Sequence, residues 1–441
     1  MDRAVEGERT TGAPSVAPRV AGRADPAAAA SLALANLRGV AVLFLVAFHA
    51  AIAYLVFARA GPQRFEAPPW DWRAFPIVDP ARWIGFDLFC AWQDVYLMAL
   101  MFFLSGLFAW QGIARKGRRR FLHERIRRLA PPFAFGVLVV TPLAIYPAFL
   151  LRADDPGPLA YARHLLALPF WPNGPMWFLW LLLAFAAAAA ALHRVAPEWG
   201  LRLGRLSGER PGVYLLVLAA AAAAAYVPLA LAFTPWRWAD RGPLALQLSR
   251  PLLYAVWYFA GIGVGAQGLG RGLLATDGPL ALRWRIWLAA ALASLCAWMG
   301  LAAMTLGSAT PAPLLLQLVA DLAYALAGVA GVFFLLAAGL RFGAARSPRL
   351  EALSIDAFGI YLLHDAPVVW LQFGLLGLPW PAAVKAPVVF AGALGAAWAA
   401  TQAMRRLGLG ARLLGDRAGA ARLPAAARRR TEPGVMAQPK P

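Results

Sequence analysis

Charged residues and cysteines are both scarce in this sequence, and each shortage excludes a class of protein. Only 15% of the 441 residues are charged and 61% are hydrophobic, whereas soluble globular proteins average about 25% charged residues. The composition therefore excludes a soluble globular protein and predicts a polytopic membrane protein. The two cysteines, Cys90 and Cys296, both fall in long apolar runs, so they supply neither a disulfide framework nor the spacing of a metal site.

Acidic residues are also few: 22 Asp and Glu stand against 42 Lys and Arg, which gives a net charge of +20. A charge of this size can indicate a nucleic-acid partner. Here, however, the basic residues lie in short segments between apolar runs and in the tails, where they orient the chain and contact anionic lipids. We therefore expect membrane lipids, and no nucleic acid, as partners.

The first 25 residues lack the apolar stretch of a secretory signal peptide. They mix basic and acidic side chains, and residues 1–33 are predicted to form a disordered cytoplasmic tail. Residues 405–441 are rich in Ala, Arg and Pro and are predicted to form a second, basic cytoplasmic tail. The membrane domain is expected between the tails, over residues 34–404.

A transmembrane helix needs about 20 apolar residues, and the sequence contains ten segments of this kind. The predicted fold is therefore all-α, with about ten transmembrane helices. The expected spans are 34–58, 84–112, 132–151, 175–193, 212–234, 248–267, 286–307, 313–338, 354–377 and 383–404.

The basic residues indicate how these spans are oriented. With a cytoplasmic N-terminus and ten spans, about three quarters of the 42 Lys and Arg residues fall in cytoplasmic segments, which is the asymmetry of the positive-inside rule. Both termini are therefore predicted to be cytoplasmic. The densest basic group lies in residues 114–130, which are predicted to form a cytoplasmic loop.

Two polar residues interrupt the first apolar run. Arg38 and His49 are eleven positions apart, so a helix brings them to nearly the same face, with His49 about 16 Å further along the axis. Ionisable side chains are costly to bury in a bilayer and are candidates for function. We interpret Arg38 as a cation near the inner surface and His49 as a general base in the outer half. A structural histidine bonded to a neighbouring helix is the alternative.

Carboxylates in other spans are candidates for orienting His49. Asp87 and Asp94 are seven positions apart on one face of the second span, which runs antiparallel to the first. A carboxylate beside an imidazole selects its tautomer and raises its basicity. Asp94 is the preferred partner, Asp87 is alternatively an interfacial residue, and Asp321 in the eighth span is a further candidate.

A second histidine, His364, is expected near the middle of the ninth span, next to Asp365. Histidines at two depths with carboxylates between them favour a polar path through the helices. A hydrogen bond between two helices is the alternative interpretation. No metal site is expected.

Within the basic segment, Arg125 and Arg128 are three positions apart and so share a helical face directly before the third span. The planar guanidinium group suits bidentate recognition of phosphate. We therefore expect these two arginines to hold a phosphate-rich cytoplasmic ligand, while part of the charge run sets the topology.

Four blocks of the chain follow one another in a recognisable order. They are Arg38 to His49, Met101 to Leu107, Arg125 to Pro131 and Phe358 to His364. They resemble the first-span, Phe-Phe-x-x-Ser-Gly-Phe, Arg-x-x-Arg-Leu-x-Pro and Tyr-Gly-Ile-Tyr-Leu-Leu-His motifs of the acyltransferase-3 family of bacterial integral membrane acyltransferases, with Leu107 where Phe is usual. Pro175 to Trp180 is similar to a stretch of the subgroup that includes glucan biosynthesis protein C.

This resemblance implies that about ten helices move an acyl group from cytoplasmic acyl-CoA to an extracytoplasmic hydroxyl, commonly on a saccharide. It implies functional roles for four residues, Arg38, His49, Arg125 and Arg128. Ser105 and His364 join the predicted polar path without an assigned role. Direct transfer and transfer through an acylated His49 both stay open.

The same resemblance indicates the substrates and the location of the protein. Acyl-CoA is expected as a co-substrate, with no tightly bound cofactor. The expected acceptor is a saccharide or envelope glycan, and the expected location is the bacterial cytoplasmic membrane. A proton-coupled transporter or flippase is the alternative function, because buried His and Asp residues also relay protons in such proteins.

Overall fold

The computed structural model describes residues 25–58, 64–68, 70–235, 237–306 and 312–414. Within these ranges the chain is helical apart from loops and one hairpin of two short strands, β1 (Trp238–Ala239) and β2 (Leu246–Gln247), which pair antiparallel. The α-helices are α1 (Pro26–Ala51), α2 (Ile84–Gly106), α3 (Ala109–Lys116), α4 (Arg118–Phe135), α5 (Thr141–Leu150), α6 (Pro158–Ala167), α7 (Trp177–Val195), α8 (Trp199–Glu209), α9 (Pro211–Phe233), α10 (Pro251–Ala266), α11 (Pro279–Leu282), α12 (Trp284–Leu306), α13 (Leu314–Phe342), α14 (Pro348–Leu363), α15 (Asp365–Leu375), α16 (Ala382–Arg406) and α17 (Gly410–Leu413).

Among the described residues, eight helical segments are long and apolar enough to cross a membrane, and the bent pair formed by α14 and α15 makes a ninth candidate. The predicted all-α polytopic fold is therefore confirmed. The predicted span 248–267 corresponds to α10, which has only 16 residues. That length is short of the about 20 residues that a crossing requires, so the count of ten includes one short apolar helix.

The first helix begins earlier than predicted. α1 starts at Pro26, inside the predicted tail of residues 1–33. The Asp25 carboxylate accepts a hydrogen bond from the Ala27 N–H at 3.0 Å, and Pro26 at the first helical position loses no hydrogen bond. Residues 1–24 of that tail lie outside the described residues, as do residues 415–441 of the C-terminal tail.

The basic segment 114–130 is helical, so the prediction of a loop there was wrong. α3 ends at Lys116, Gly117 adopts a φ of +77°, and α4 begins at the next residue. A positive φ is easily adopted by Gly and ends a helix, so one residue is enough to separate the two. Lys116 and Arg120 both pair with Glu124 and support the first turns of α4.

α1 lies between α2, α13, α14 and α16, and α2 in turn packs along α10. Glycines let the backbones of α2 and α10 touch: a Cβ at Gly106 would overlap the carbonyl oxygen of Tyr258, and one at Gly261 would overlap that of Phe103. Small residues allow this close approach between membrane helices. Gly106 therefore has a packing role in the Met101 to Leu107 block.

Two carboxylates fasten the segment between α1 and α2. Asp79 is fully buried and pairs with Lys385 of α16, with 2.8 Å between Oδ2 and Nζ. Asp87 accepts hydrogen bonds from the backbone N–H groups of Val56 and Phe57, each at 2.9 Å. The chain that leaves α1 is thus held against the start of α2, which keeps the end of α1 in a fixed position.

Candidate active site

The two histidines predicted at different depths meet in one site. His49 Nδ1 of α1 lies 3.3 Å from His364 Nε2, and the ring centroids are 4.8 Å apart. His364 is completely buried, whereas His49 is half-buried. The sequence indicated both residues, but not that they contact each other across 315 positions of the chain.

Backbone carbonyl groups assign the tautomers of both rings. His49 Nδ1 lies 2.9 Å from Leu45 O, and His364 Nδ1 lies 2.7 Å from Tyr361 O. A carbonyl oxygen only accepts hydrogen bonds, so in each neutral ring Nδ1 carries the proton. His364 Nε2 then offers a lone pair to the N–H of His49. No hydrogen bond to His49 Nε2 is found among the described residues, which leaves that lone pair available to a substrate.

His364 lies at a break in the predicted ninth span, between α14 and α15. The chain bends by 64° between α14 and α15, so the expectation of one continuous helix over 354–377 was wrong. Pro367 in the first turn of α15 has no N–H to donate to the carbonyl of Leu363, and such a residue breaks or kinks a helix. On either side, the Tyr361 hydroxyl donates to Pro175 O at 2.7 Å and Gln372 Nε2 donates to His49 O at 2.8 Å.

The carboxylate of this site is Asp365, which lies next to His364 in the sequence but was not among the predicted site residues. One ligand atom from each of His49, His364 and Asp365 lies within 4.8 Å of the others. The carboxylate faces Gly174, where a Cβ would lie 3.1 Å from Asp365 Oδ2 and 3.2 Å from Thr141 Oγ1. Gly174 also has a φ of +47°, so a side chain there would be both strained and crowded. The signal in the sequence was the direct adjacency of Asp365 to His364.

Two nitrogens and a carboxylate are also the donors of many transition-metal sites. The Leu45 carbonyl argues against that use of His49 Nδ1, because the short distance of 2.9 Å requires a proton on this nitrogen and a protonated nitrogen has no lone pair for a metal. The arrangement therefore favours a hydrogen-bonded pair of imidazoles in which His364 Nε2 accepts from His49, and the unprotonated Nε2 of His49 has no partner among the described residues.

Asp94 does not orient His49, and this preferred assignment is corrected. Its two carboxylate oxygens accept bidentate hydrogen bonds from Arg250 at 2.7 and 2.6 Å. Arg250 directly precedes α10 and is 3% exposed, and its guanidinium lies 5.3 Å from the centre of the Tyr324 ring. A planar guanidinium outcompetes an imidazole for a carboxylate because it donates two parallel hydrogen bonds.

The other polar residues named from the sequence lie apart from the histidine pair or bond locally. Asp87 caps the backbone after α1, as described above. The Ser105 hydroxyl donates to Met101 O of its own helix at 2.8 Å. Asp321 is half-buried in α13, and no hydrogen bond to its carboxylate is found in the described part of the chain. The predicted polar path therefore includes fewer of these residues than expected.

The three arginines predicted to act on the cytoplasmic side do converge. Arg38 lies close enough to Arg125 and Arg128 for their charges to repel one another. Arg125 also stacks over the ring of Phe121, with 5.2 Å between its Cζ and the ring centre. Within the described ranges neither Arg38 nor Arg125 forms an ion pair with an acidic side chain. We call these three residues the arginine cluster; its net positive charge is suited to an anion.

Comparison with family profiles identifies the family to which the chain belongs. The profile described as an acyltransferase domain (Acyl_transf_3) matches residues 32–402. Comparison with curated proteins and comparison with solved structures each found no match. The matched range includes the histidine pair, the arginine cluster and all or most of every candidate membrane span in the described residues. The chain therefore belongs to the acyltransferase-3 family and is a multi-pass membrane acyltransferase.

Proposed function

We propose that the protein transfers an acyl group from cytoplasmic acyl-CoA to a hydroxyl group of an extracytoplasmic saccharide or envelope glycan. The observation that carries this proposal is the position of two functional groups on one helix. Arg38 of the arginine cluster and His49, whose Nε2 is unprotonated, are eleven residues apart on α1, or about 16 Å along the helix axis. Donor and acceptor can therefore approach one site from opposite ends of the helix bundle.

The arginine cluster is the proposed binding site for the phosphate groups of coenzyme A. Its three guanidinium groups come from α1 and α4, and Arg38 is half-buried, so its charge is only partly screened by water. Guanidinium groups bind phosphate through paired hydrogen bonds. The pantetheine arm then runs along α1 toward His49 and carries the thioester with it.

His49 is the proposed general base. Its Nε2 takes the proton of the acceptor hydroxyl as the oxygen attacks the thioester carbonyl. A carbon–oxygen bond forms, the carbon–sulfur bond breaks, and the proton passes from His49 to the departing thiolate, which leaves as free coenzyme A. Proton transfer by a positioned base typically contributes about 10²–10⁴-fold to the rate.

The arginine cluster gives the first testable expectation. Arg125→Lys and Arg128→Lys should each raise the KM for acetyl-CoA or succinyl-CoA by about tenfold, because lysine keeps the charge but loses the bidentate geometry. The KM is measured from the release of coenzyme A in inverted membrane vesicles, which expose the cytoplasmic face. Arg127→Lys is the matched control, since Arg127 is an exposed arginine of the same helix, as Arg128 is, but lies on a different face from Arg125 and Arg128. It should leave the KM unchanged. An unchanged KM in both variants would remove the phosphate-binding role.

The proposed reaction is tested by comparing envelope glycans from cells with and without the gene by mass spectrometry. We expect glycans that carry an added acyl group only when the gene is present, and the mass difference names the acyl group. The glycan that carries it names the acceptor, including whether it is a glucan. Identical glycan spectra from the two cell types would contradict the proposed acceptor class.

A further inference from the structure

We propose that His364 is a positioning residue that holds His49 in the tautomer required of a base. The inference rests on the proposed function, because it assigns a partner to the proposed base. Its starting point is the 3.3 Å distance between His364 Nε2 and His49 Nδ1, which joins α1 to the break between α14 and α15.

A neutral imidazole carries one proton, on either of its two nitrogens. On His49, a proton on Nδ1 faces two acceptors, Leu45 O and His364 Nε2, at 2.9 and 3.3 Å. With the proton on Nε2 instead, the lone pair of Nδ1 would face a carbonyl oxygen and a second lone pair, which is repulsive. The two acceptors together thus select the tautomer in which Nε2 is free to take a proton.

His364 can select that tautomer only if its own ring is fixed. Its Nδ1 donates to Tyr361 O at 2.7 Å, which leaves Nε2 as the acceptor. The ring is completely buried, and the bend after Leu363 directs the chain away from the axis of α14. Leu45 O belongs to the same helix as His49, so His364 is the partner that ties the ring to another part of the fold.

The hydrogen bond between His49 Nδ1 and His364 Nε2 also stabilises the charged form of His49 after proton transfer. When Nε2 of His49 has taken the hydroxyl proton, the ring is an imidazolium whose Nδ1–H still points at the neutral His364 Nε2. The carboxyl group of Asp365 lies within 4.8 Å of both rings and, when ionised, stabilises the new positive charge. A hydrogen bond to a charged group is stronger than one between neutral groups, so the contact strengthens as the reaction proceeds.

Two amide substitutions separate positioning from a general structural role. Glutamine at 364 can place its carbonyl oxygen near the position of Nε2, whereas asparagine is one methylene shorter and reaches only the region of Nδ1. We expect His364→Gln to keep kcat within about tenfold of the parent, and His364→Asn to lose about 100-fold, at the lower end of the contribution of a positioned base. The KM for acetyl-CoA or succinyl-CoA should stay unchanged in both, and both should unfold near the parent temperature.

The outcomes distinguish this inference from the proposed function. Parent-like turnover in His364→Asn, together with inactive His49→Ala, would overturn the positioning role and leave the proposed base intact. Equal and severe loss in the folded Gln and Asn variants would also overturn it, because the ring itself would then be needed. One equivalent of zinc in the purified protein, lost in both variants, would also overturn the positioning role, because His364 would then be a ligand of a metal site. Parent-like turnover in His49→Ala would instead remove the proposed function.

Discussion

Replacing His49 with alanine should reduce acyl transfer by about 10²–10⁴-fold, because the substitution removes the nitrogen that accepts the hydroxyl proton. The loss should appear in kcat, while the KM for acyl-CoA should change little, since the arginine cluster lies about 16 Å away along α1. Turnover is measured as coenzyme A release and as ester formation in the same inverted vesicles.

The control for His49→Ala is His123→Ala. His123 lies on the exposed face of α4, so its removal deletes an imidazole of the same chain without touching the histidine pair. We expect parent-like turnover in this control and parent-like amounts of both variants in the membrane. If His49→Ala also turned over like the parent, His49 would not be the base.

Removing Asp94 and removing Arg250 both break their ion pair, but we expect the two substitutions to destabilise the protein by different amounts. Asp94→Leu leaves the cation of Arg250, which is 3% exposed, without its carboxylate, and we expect the free energy of unfolding to fall by about 3–5 kcal/mol. Arg250→Met leaves a carboxylate whose side chain is 36% exposed and can be hydrated, so a smaller loss of about 1–3 kcal/mol is expected.

The double variant Asp94→Leu/Arg250→Met should recover much of the loss, because no unpaired charge then remains in the buried site. Unfolding is followed in detergent for the parent, the two single variants and the double variant. Asp94→Asn separates stability from catalysis, since it keeps the size of the side chain. If Asp94→Asn were as stable as the parent but inactive, Asp94 would act in catalysis after all.

Much of the membrane fold was predictable because hydrophobicity and helix geometry are local properties. Apolar length located the helices, and the eleven-residue spacing of Arg38 and His49 placed one above the other on α1. The convergence of Arg38 with Arg125 and Arg128 also followed, since all three were placed at the cytoplasmic side. These inferences need only the order of residues along single helices and the depth of each residue.

The partners of the polar residues were not predictable in the same way. Asp94 pairs with a residue 156 positions away and His49 with one 315 positions away, and helical period indicates a face but not the helix that covers it. The bend inside the predicted span 354–377 was not predicted, because apolar residues continue on both sides of it. Pro367 was the local signal for that bend, and Asp365, two positions before it, was not among the predicted site residues.

The protein is proposed to transfer an acyl group from a cytoplasmic donor to an extracytoplasmic acceptor, and one measurement tests this transfer directly. Inverted membrane vesicles with soluble envelope glycans sealed inside are given acetyl-CoA or succinyl-CoA labelled in the acyl group. We expect free coenzyme A outside and an equal amount of labelled ester on the glycans inside. Movement of glycans or protons across the membrane with no acyl-CoA consumed would contradict the claim and indicate a transporter.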